Sequence, residues 1–153
     1  MGHVDRRLLH VDDDPQFTRM VKHRLAAHGF EVDALHVPEE TQDYLLRGDH
    51  RLVLLDIDMP GMNGLDLLRT IKRNDGGVQV VLLTGICTTT TVLTGLRWGA
   101  EACFFKPLGD VEPLVDCLND VVHKMERWWT SLHELTNRTK AESQGLPLPS
   151  ANH

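Results

Sequence analysis

Cysteine is scarce: the 153 residues hold three, Cys87, Cys103 and Cys117. An odd number, scattered without metal-ligand spacing, argues against a disulfide framework or a thiolate metal centre and points to thiols in a reducing compartment. The nine histidines form no HExxH or paired Cys/His pattern, and His10, inside a strand, reads as a packed residue. There is no basic excess either. Sixteen Lys and Arg against 22 Asp and Glu leave a net charge of −6, so no electrostatic footprint for nucleic acid exists and no direct nucleic-acid partner is expected. No apolar run approaches the ~20 residues of a membrane span, and the start MGHVDRR lacks the apolar core of a secretion signal. The expected compartment is the cytoplasm, with no membrane partner. With 41% hydrophobic and 25% charged residues, the composition is that of a globular domain rather than a disordered chain, and the length suits one domain with a modest appendage.

What is present is organised around Arg51 to Gly64, RLVLLDIDMPGMNG. Leu52, Val53, Leu54 and Leu55 form a buried-strand pattern, and Pro60, Gly61, Asn63 and Gly64 break it into a loop. Asp56 therefore ends a strand. At the carboxyl edge of an open parallel sheet, where ligands bind, it should be partly wet and reactive; a turn-capping aspartate is the plain alternative.

The remaining chain alternates strands and helices. Arg7 to Val11 reads as a strand running into Asp12, Asp13 and Asp14; Pro15 opens a helix with Phe17, Met20, Val21 and Leu25 on one face and Gly29 after it. Phe30 to Val37 reads as a half-exposed strand with Phe30, Val32 and Ala34 inward, and Pro38 to Leu46 as a short helix. Leu65, Leu68 and Ile71 mark a helix to about Arg73. Val78 to Leu83 is a strand ending at Thr84, and Thr88 to Trp98 a helix despite four threonines and Gly95. Ala102 to Phe105 is the fifth strand, followed by Lys106 and Pro107, and Asp110 caps the last helix. Five strands alternating with five helices predict an α/β, doubly wound, five-stranded parallel sheet. Asp12, Asp13, Asp56, Thr84 and Lys106 then converge at one edge.

Carboxylates gathered in one pocket repel, by roughly 4 kcal/mol for a pair about 4 Å apart at an effective dielectric near 20. A raised pKa, the ammonium of Lys106 or a bound cation must offset that, and all-oxygen ligands favour Mg²⁺. Such a pocket suits phosphoryl transfer, with Asp56 as nucleophile, Lys106 and the metal neutralising charge, and Thr84 donating a hydrogen bond.

VDDDP at Val11 to Pro15, LLDIDMPGMNG at Leu54 to Gly64, LLTG at Leu82 to Gly85, GA at Gly99 to Ala100 and FKP at Phe105 to Pro107 occur in order. Over roughly Arg6 to Met125 the chain resembles the receiver domain of bacterial two-component response regulators. That resemblance implies a flavodoxin-like sheet in the order 2-1-3-4-5. It implies phosphoryl transfer to Asp56 from a histidine kinase or phosphotransfer protein, making the chain a phosphoacceptor switch rather than an enzyme. It implies Mg²⁺ on Asp12, Asp13, Asp56 and the backbone carbonyl of Asp58, with Thr84 and Lys106 contacting the phosphoryl group, and a cis Lys106–Pro107 bond. The fourth helix, fifth strand and last helix are the expected reporter surface.

The chain departs from the family pattern at Cys103, where an aromatic ring usually swings with the threonine; Phe104 and Phe105 are expected to pack in the core instead, and Cys103 to act as a small buried hydrophobe. Ile86, two residues after Thr84, cannot orient an attacking water, which implies slow self-dephosphorylation.

The last helix outruns a receiver. Leu114, Leu118, Val121, Met125, Trp128, Leu132 and Leu135 form a heptad seam of about three repeats. From Met125 onward, Trp128, Trp129, Leu132 and Leu135 need covering, which predicts a homodimer through a coiled coil; a fold-back onto the receiver is the alternative. The expected division is a receiver over 5–125, a helical extension over 126–142 and a flexible tail over 143–153. Two other functions fit less well. A receiver-like interaction module without phosphorylation usually lacks an acidic, threonine or lysine position that this chain keeps. A haloacid-dehalogenase-like phosphatase shares the Asp56-x-Asp58 pattern but carries its acidic pair after the lysine, not before.

Overall fold

In the computed structural model, which describes residues 5–85 and 88–147, β1 is Arg7–Val11, β2 Glu31–Leu35, β3 Leu52–Leu55, β6 Gln79–Thr84 and β7 Ala102–Phe105. These five strands form one parallel sheet in the order β2-β1-β3-β6-β7. Counted within the sheet that is 2-1-3-4-5, the flavodoxin-like order. β3 is shielded on both faces, as its unbroken apolar run requires. A short antiparallel ribbon, β4 (Asp58–Met59) with β5 (Met62–Asn63), interrupts what the sequence suggests is plain loop.

The helices are α1 (Pro15–Ala26), α2 (Thr41–Arg47), α3 (Gly64–Asn74), α4 (Thr89–Arg97) and α5 (Glu112–Ser143), with a 3₁₀ turn at Pro38–Glu40. Their starts have local causes. Asp14 caps α1 by accepting from the amides of Gln16 and Phe17, Asn63 caps α3 through Leu65 N–H at 2.9 Å, and Thr88 caps α4 through Thr91 N–H at 3.1 Å. Gly95, costly inside a helix on propensity alone, lies where α4 meets β6: a Cβ there would sit 2.7 Å from Leu82 Cδ1.

One core layer contains Leu9, Val11, Val53, Leu55, Val80 and Leu82 from the sheet, with Leu67, Leu68 and Ile71 from α3. Leu114 and Leu118 at the start of α5 are fully buried.

Three expectations are corrected. The second strand ends at Leu35, not Val37, because the β1 ladder closes at Val11 opposite Leu35 and offers no later partner. Leu35 is buried, whereas Ala34 is only half-buried. Phe104 is half-buried and Phe105 is 43% exposed; β7 pairs only with β6, and a sheet edge covers its side chains less than the centre does.

The chain divides into two units, Asp5–Leu118 and a second beginning at Asn119. In the second unit α5 continues to Ser143 and ends in a Schellman motif, with Gly145 at φ +64°, Gly145 N–H bonded to Glu142 O and Leu146 N–H to Ala141 O. Trp128, Trp129, Leu132 and Leu135 are all more than half exposed, and Met125 is half-buried. Most of the proposed tail, from residue 148, lies outside the described residues. Among the described residues no helix is long and apolar enough to cross a membrane.

Candidate functional site

Strand register builds the site. Val11 of β1 pairs with Leu55 of β3, and Leu55 with Leu82 of β6, so the residues that follow, Asp12 and Asp56, emerge side by side. Thr84 closes β6 opposite Phe105, and Lys106 follows across the same edge, its amide donating to Thr84 O at 2.9 Å. The five residues expected to converge do so.

Carboxylate oxygens of Asp12, Asp13 and Asp56 lie within 4.8 Å of one another. Asp12 is fully buried, Asp13 exposed and Asp56 only 3% exposed. The phosphoacceptor candidate is therefore drier than a strand-end carboxylate was expected to be, because Asp12, Lys106 and the turn after β3 close around it. Lys106 Nζ donates to Asp12 Oδ2 at 2.6 Å and lies 3.4 Å from Asp56 Oδ2. Asp56 Oδ1 accepts weakly from Asp58 N–H at 3.4 Å, and the Thr84 side chain bonds the same carboxylate. Burial first, and the charge of Asp12 second, push the Asp56 carboxyl above its ordinary range, against Lys106 and Thr84. Burial opposes the Lys106 ammonium, but Asp12 and Asp56 outweigh it and hold its pKa up.

The donor set fits a hard divalent cation. Two carboxylates compete for one ammonium, and all the acidic ligands are oxygen. The Lys106–Pro107 bond is cis, as expected.

Three contacts were not legible beforehand. Phe17, read as a core residue of α1, puts its ring centroid 4.3 Å from Lys106 Nζ. His10 is wholly buried, packs edge-on to Phe17 with centroids 5.8 Å apart, and stands 3.8 Å from Asp12 Oδ2, beyond hydrogen-bond reach. Arg24 of α1 donates to Leu108 O at 3.0 Å and Gly109 O at 2.6 Å, fastening the turn after Lys106. The helical spacing of Phe17 and Arg24 is visible in sequence; partners more than 80 residues away are not.

Cys103 packs against the core layer but is only half-buried, less covered than the buried hydrophobe expected of it, because β7 is the edge of the sheet. Ile86 and Cys87 lie outside the described residues.

The profile of the response regulator receiver domain matches residues 8–119. The chain belongs to the response regulator receiver family. This receiver is 40% identical over 111 residues to the DNA-binding response regulator MtrA of Mycobacterium tuberculosis, covering 70% of this chain and 46% of that protein. It is 36% identical to a CpxR homolog of Haemophilus influenzae over 69% of this chain and 46% of that one. The receiver thus spans about half the length of the curated relatives it matches, and the DNA binding named for MtrA is said of that protein. Among solved structures, a CheY-like receiver from Methanospirillum hungatei superposes with a TM-score of 0.74 at 26% identity, covering 80% of this chain and 98% of that one. The receiver domain of a putative LuxO repressor from Vibrio parahaemolyticus reaches 0.77 at 20% identity, over 83% and 97%, a likeness of fold.

Proposed function

We propose that this receiver is a phosphorylation-operated switch whose acceptor is Asp56, supplied by a phosphohistidine on a sensor kinase or phosphotransfer protein. The observation that carries the reading is the buried Asp56 carboxylate, raised in pKa, contacted by Lys106 and Thr84 and set beside the Asp12 and Asp13 carboxylates. In the transfer an Asp56 oxygen forms a bond to phosphorus as the phosphorus–nitrogen bond breaks, and the partner's imidazole leaves with the electron pair. Lys106 swings from Asp12 towards the phosphoryl oxygens, and Thr84 redirects its hydroxyl to one of them. Asp12, Asp13, Asp56 and the Asp58 carbonyl are the ligands assigned to Mg²⁺, which when bound supplies charge neutralisation at the phosphoryl oxygens. The protein is thus a participant in its own phosphorylation and hydrolysis rather than an enzyme acting on other substrates.

Phosphorylation adds about 1.5 to 2 negative charges at Asp56. Thr84 ends β6 and Lys106 follows directly on β7, so their movement is passed to α4 and β7, where Leu93, Leu96 and Phe105 are exposed and offer an apolar output face. Net charge −6 keeps direct nucleic-acid contact out of this reading, and the helical extension is assigned to self-association. The cytoplasm is the compartment in which such a kinase partner acts.

Intact-protein mass after incubation with Mg²⁺ and acetyl phosphate tests the acceptor. A single phosphoryl adduct that disappears in Asp56→Ala is expected. An adduct that survives in Asp56→Ala would assign the chemistry elsewhere, and no adduct with any donor would leave a receiver-like module acting by contact alone.

A further inference from the structure

The exposed face of α5 beyond Asn119 has a pattern that specifies how it is covered. Met125, Trp128, Leu132 and Leu135 step by three, four and three residues, so in heptad terms they occupy a, d, a and d, and Thr139 the next a. Trp128 is 68% exposed, Trp129 52%, Leu132 54% and Leu135 60%. Taking about 150–250 Å² for each of these large side chains when fully buried, the four leave roughly 350–600 Å² of apolar surface per copy. Two copies facing each other would bury about 700–1,200 Å², the range of weak, transient interfaces. That area suits a weak, concentration-dependent pair.

The flanking positions discriminate between orientations. Lys124, Ser131 and Arg138 stand at g; Trp129, Thr136 and Ser143 stand at e. Neither flank carries an acid. In an antiparallel pair the g positions face one another, which sets Lys124 against the partner's Arg138 twice and buries like charges beside the seam. In a parallel pair each g meets the e five residues later in the other helix. Lys124 then meets the partner's Trp129, a cation against an indole face, and no like charges meet. Ser131 and Thr136 already bond back to Arg127 O and Leu132 O, and Arg138 is held by Glu134 at 2.9 Å one turn earlier, so the parallel flank leaves these groups satisfied.

We propose that the α5 extension pairs with a second copy of this chain as a parallel, in-register two-helix seam centred on Trp128, Leu132 and Leu135. This deepens the self-association assigned above and is independent of phosphorylation at Asp56.

The test uses the full chain without phosphodonor. Sedimentation equilibrium over a range of concentrations should show monomer and dimer only, and Trp128→Glu, at an exposed position that leaves far-UV circular dichroism unchanged, should weaken the dimer roughly thirtyfold or more. Asp56→Ala should dimerise like the wild type, which separates this result from the fate of the phosphoacceptor reading. Orientation is read from Thr139→Cys: identical a positions face each other only in a parallel seam, so mild oxidation should give a disulfide-linked dimer well above the level seen in wild type and Thr139→Ser. A monomer at every concentration, a larger oligomer, a dimer indifferent to Trp128→Glu, or no cross-link at position 139 would each overturn the proposal.

Discussion

His10 should make this receiver acid-labile, and removing it should make the protein both more stable and less sensitive to pH. Its ring is wholly buried, and among the described residues neither nitrogen has a protein hydrogen-bond partner. Burial first, then the charges of Lys106 and His36, push its pKa down to about 3, against about 6.5 in an unfolded chain. Between those values the unfolded state binds a proton that the folded state refuses. Stability therefore rises with pH through this window, and the loss begins as pH falls through about 6.5. At 1.36 kcal/mol per pH unit, the protonation of His10 costs about 2 kcal/mol between pH 7.5 and pH 5, a substantial part of the ~5–15 kcal/mol that holds a typical domain. Asp56, with its raised carboxyl, acts in the opposite sense above its unfolded value, so the comparison must be between variants. His10→Leu, of similar volume, removes both the proton site and the unpaired nitrogens. Urea unfolding followed by circular dichroism in EDTA should show it about 1–3 kcal/mol more stable than wild type at pH 7.5, from relief of an unsatisfied buried group, with the drop to pH 5 smaller by about 2 kcal/mol. An unchanged drop, or a variant less stable at neutral pH, would refute the reasoning.

Other residues give sharper, simpler outcomes. A Cβ at position 64 would collide with the Asp56 carbonyl oxygen and lie 2.6 Å from Ile57 Cα; both are backbone atoms that cannot move aside cheaply, so Gly64→Ala should cost at least ~3 kcal/mol in urea unfolding, and wild-type stability would deny that approach. Phe17→Leu keeps the α1 core contact but removes the ring beneath Lys106, so acetyl phosphate labelling should slow about three- to tenfold, consistent with a cation–π contact of ~1 kcal/mol, with Phe17→Tyr restoring it; an unchanged rate in Phe17→Leu would reduce the ring to packing. Lys106→Ala, which leaves Asp12 and Asp56 without their ammonium, should slow labelling on the order of a hundredfold, measured by intact mass. Once labelled, the wild-type protein should hold its phosphoryl group for minutes or longer, because Ile86 offers no hydrogen bond to an attacking water; a half-life of seconds would contradict this.

How much was legible before folding depends on the range of the interaction. The strands and most helices were, because burial imposes a period that the residues carry in order: four consecutive apolar residues for the doubly covered β3, and Asp14, Asn63 and Thr88 immediately before the helices they cap. The convergence of Asp12, Asp56, Thr84 and Lys106 was also legible, since parallel strands must present their carboxyl ends on one edge. The limits of β2 were not, because they depend on where β1 stops pairing, and the exposure of Phe105 was not, because only the sheet order makes β7 an edge. The tertiary structure alone decided that Asp56 is buried, that Lys106 rests on Phe17 while bonded to Asp12, and that Arg24 holds Leu108 and Gly109. These contacts join residues far apart in the chain, and no local propensity encodes them. Sequence thus determined which chemical groups reach the edge of the sheet, through periodicity and chain order; tertiary packing determined their solvation and partners, and through these the pKa values on which the proposed chemistry depends.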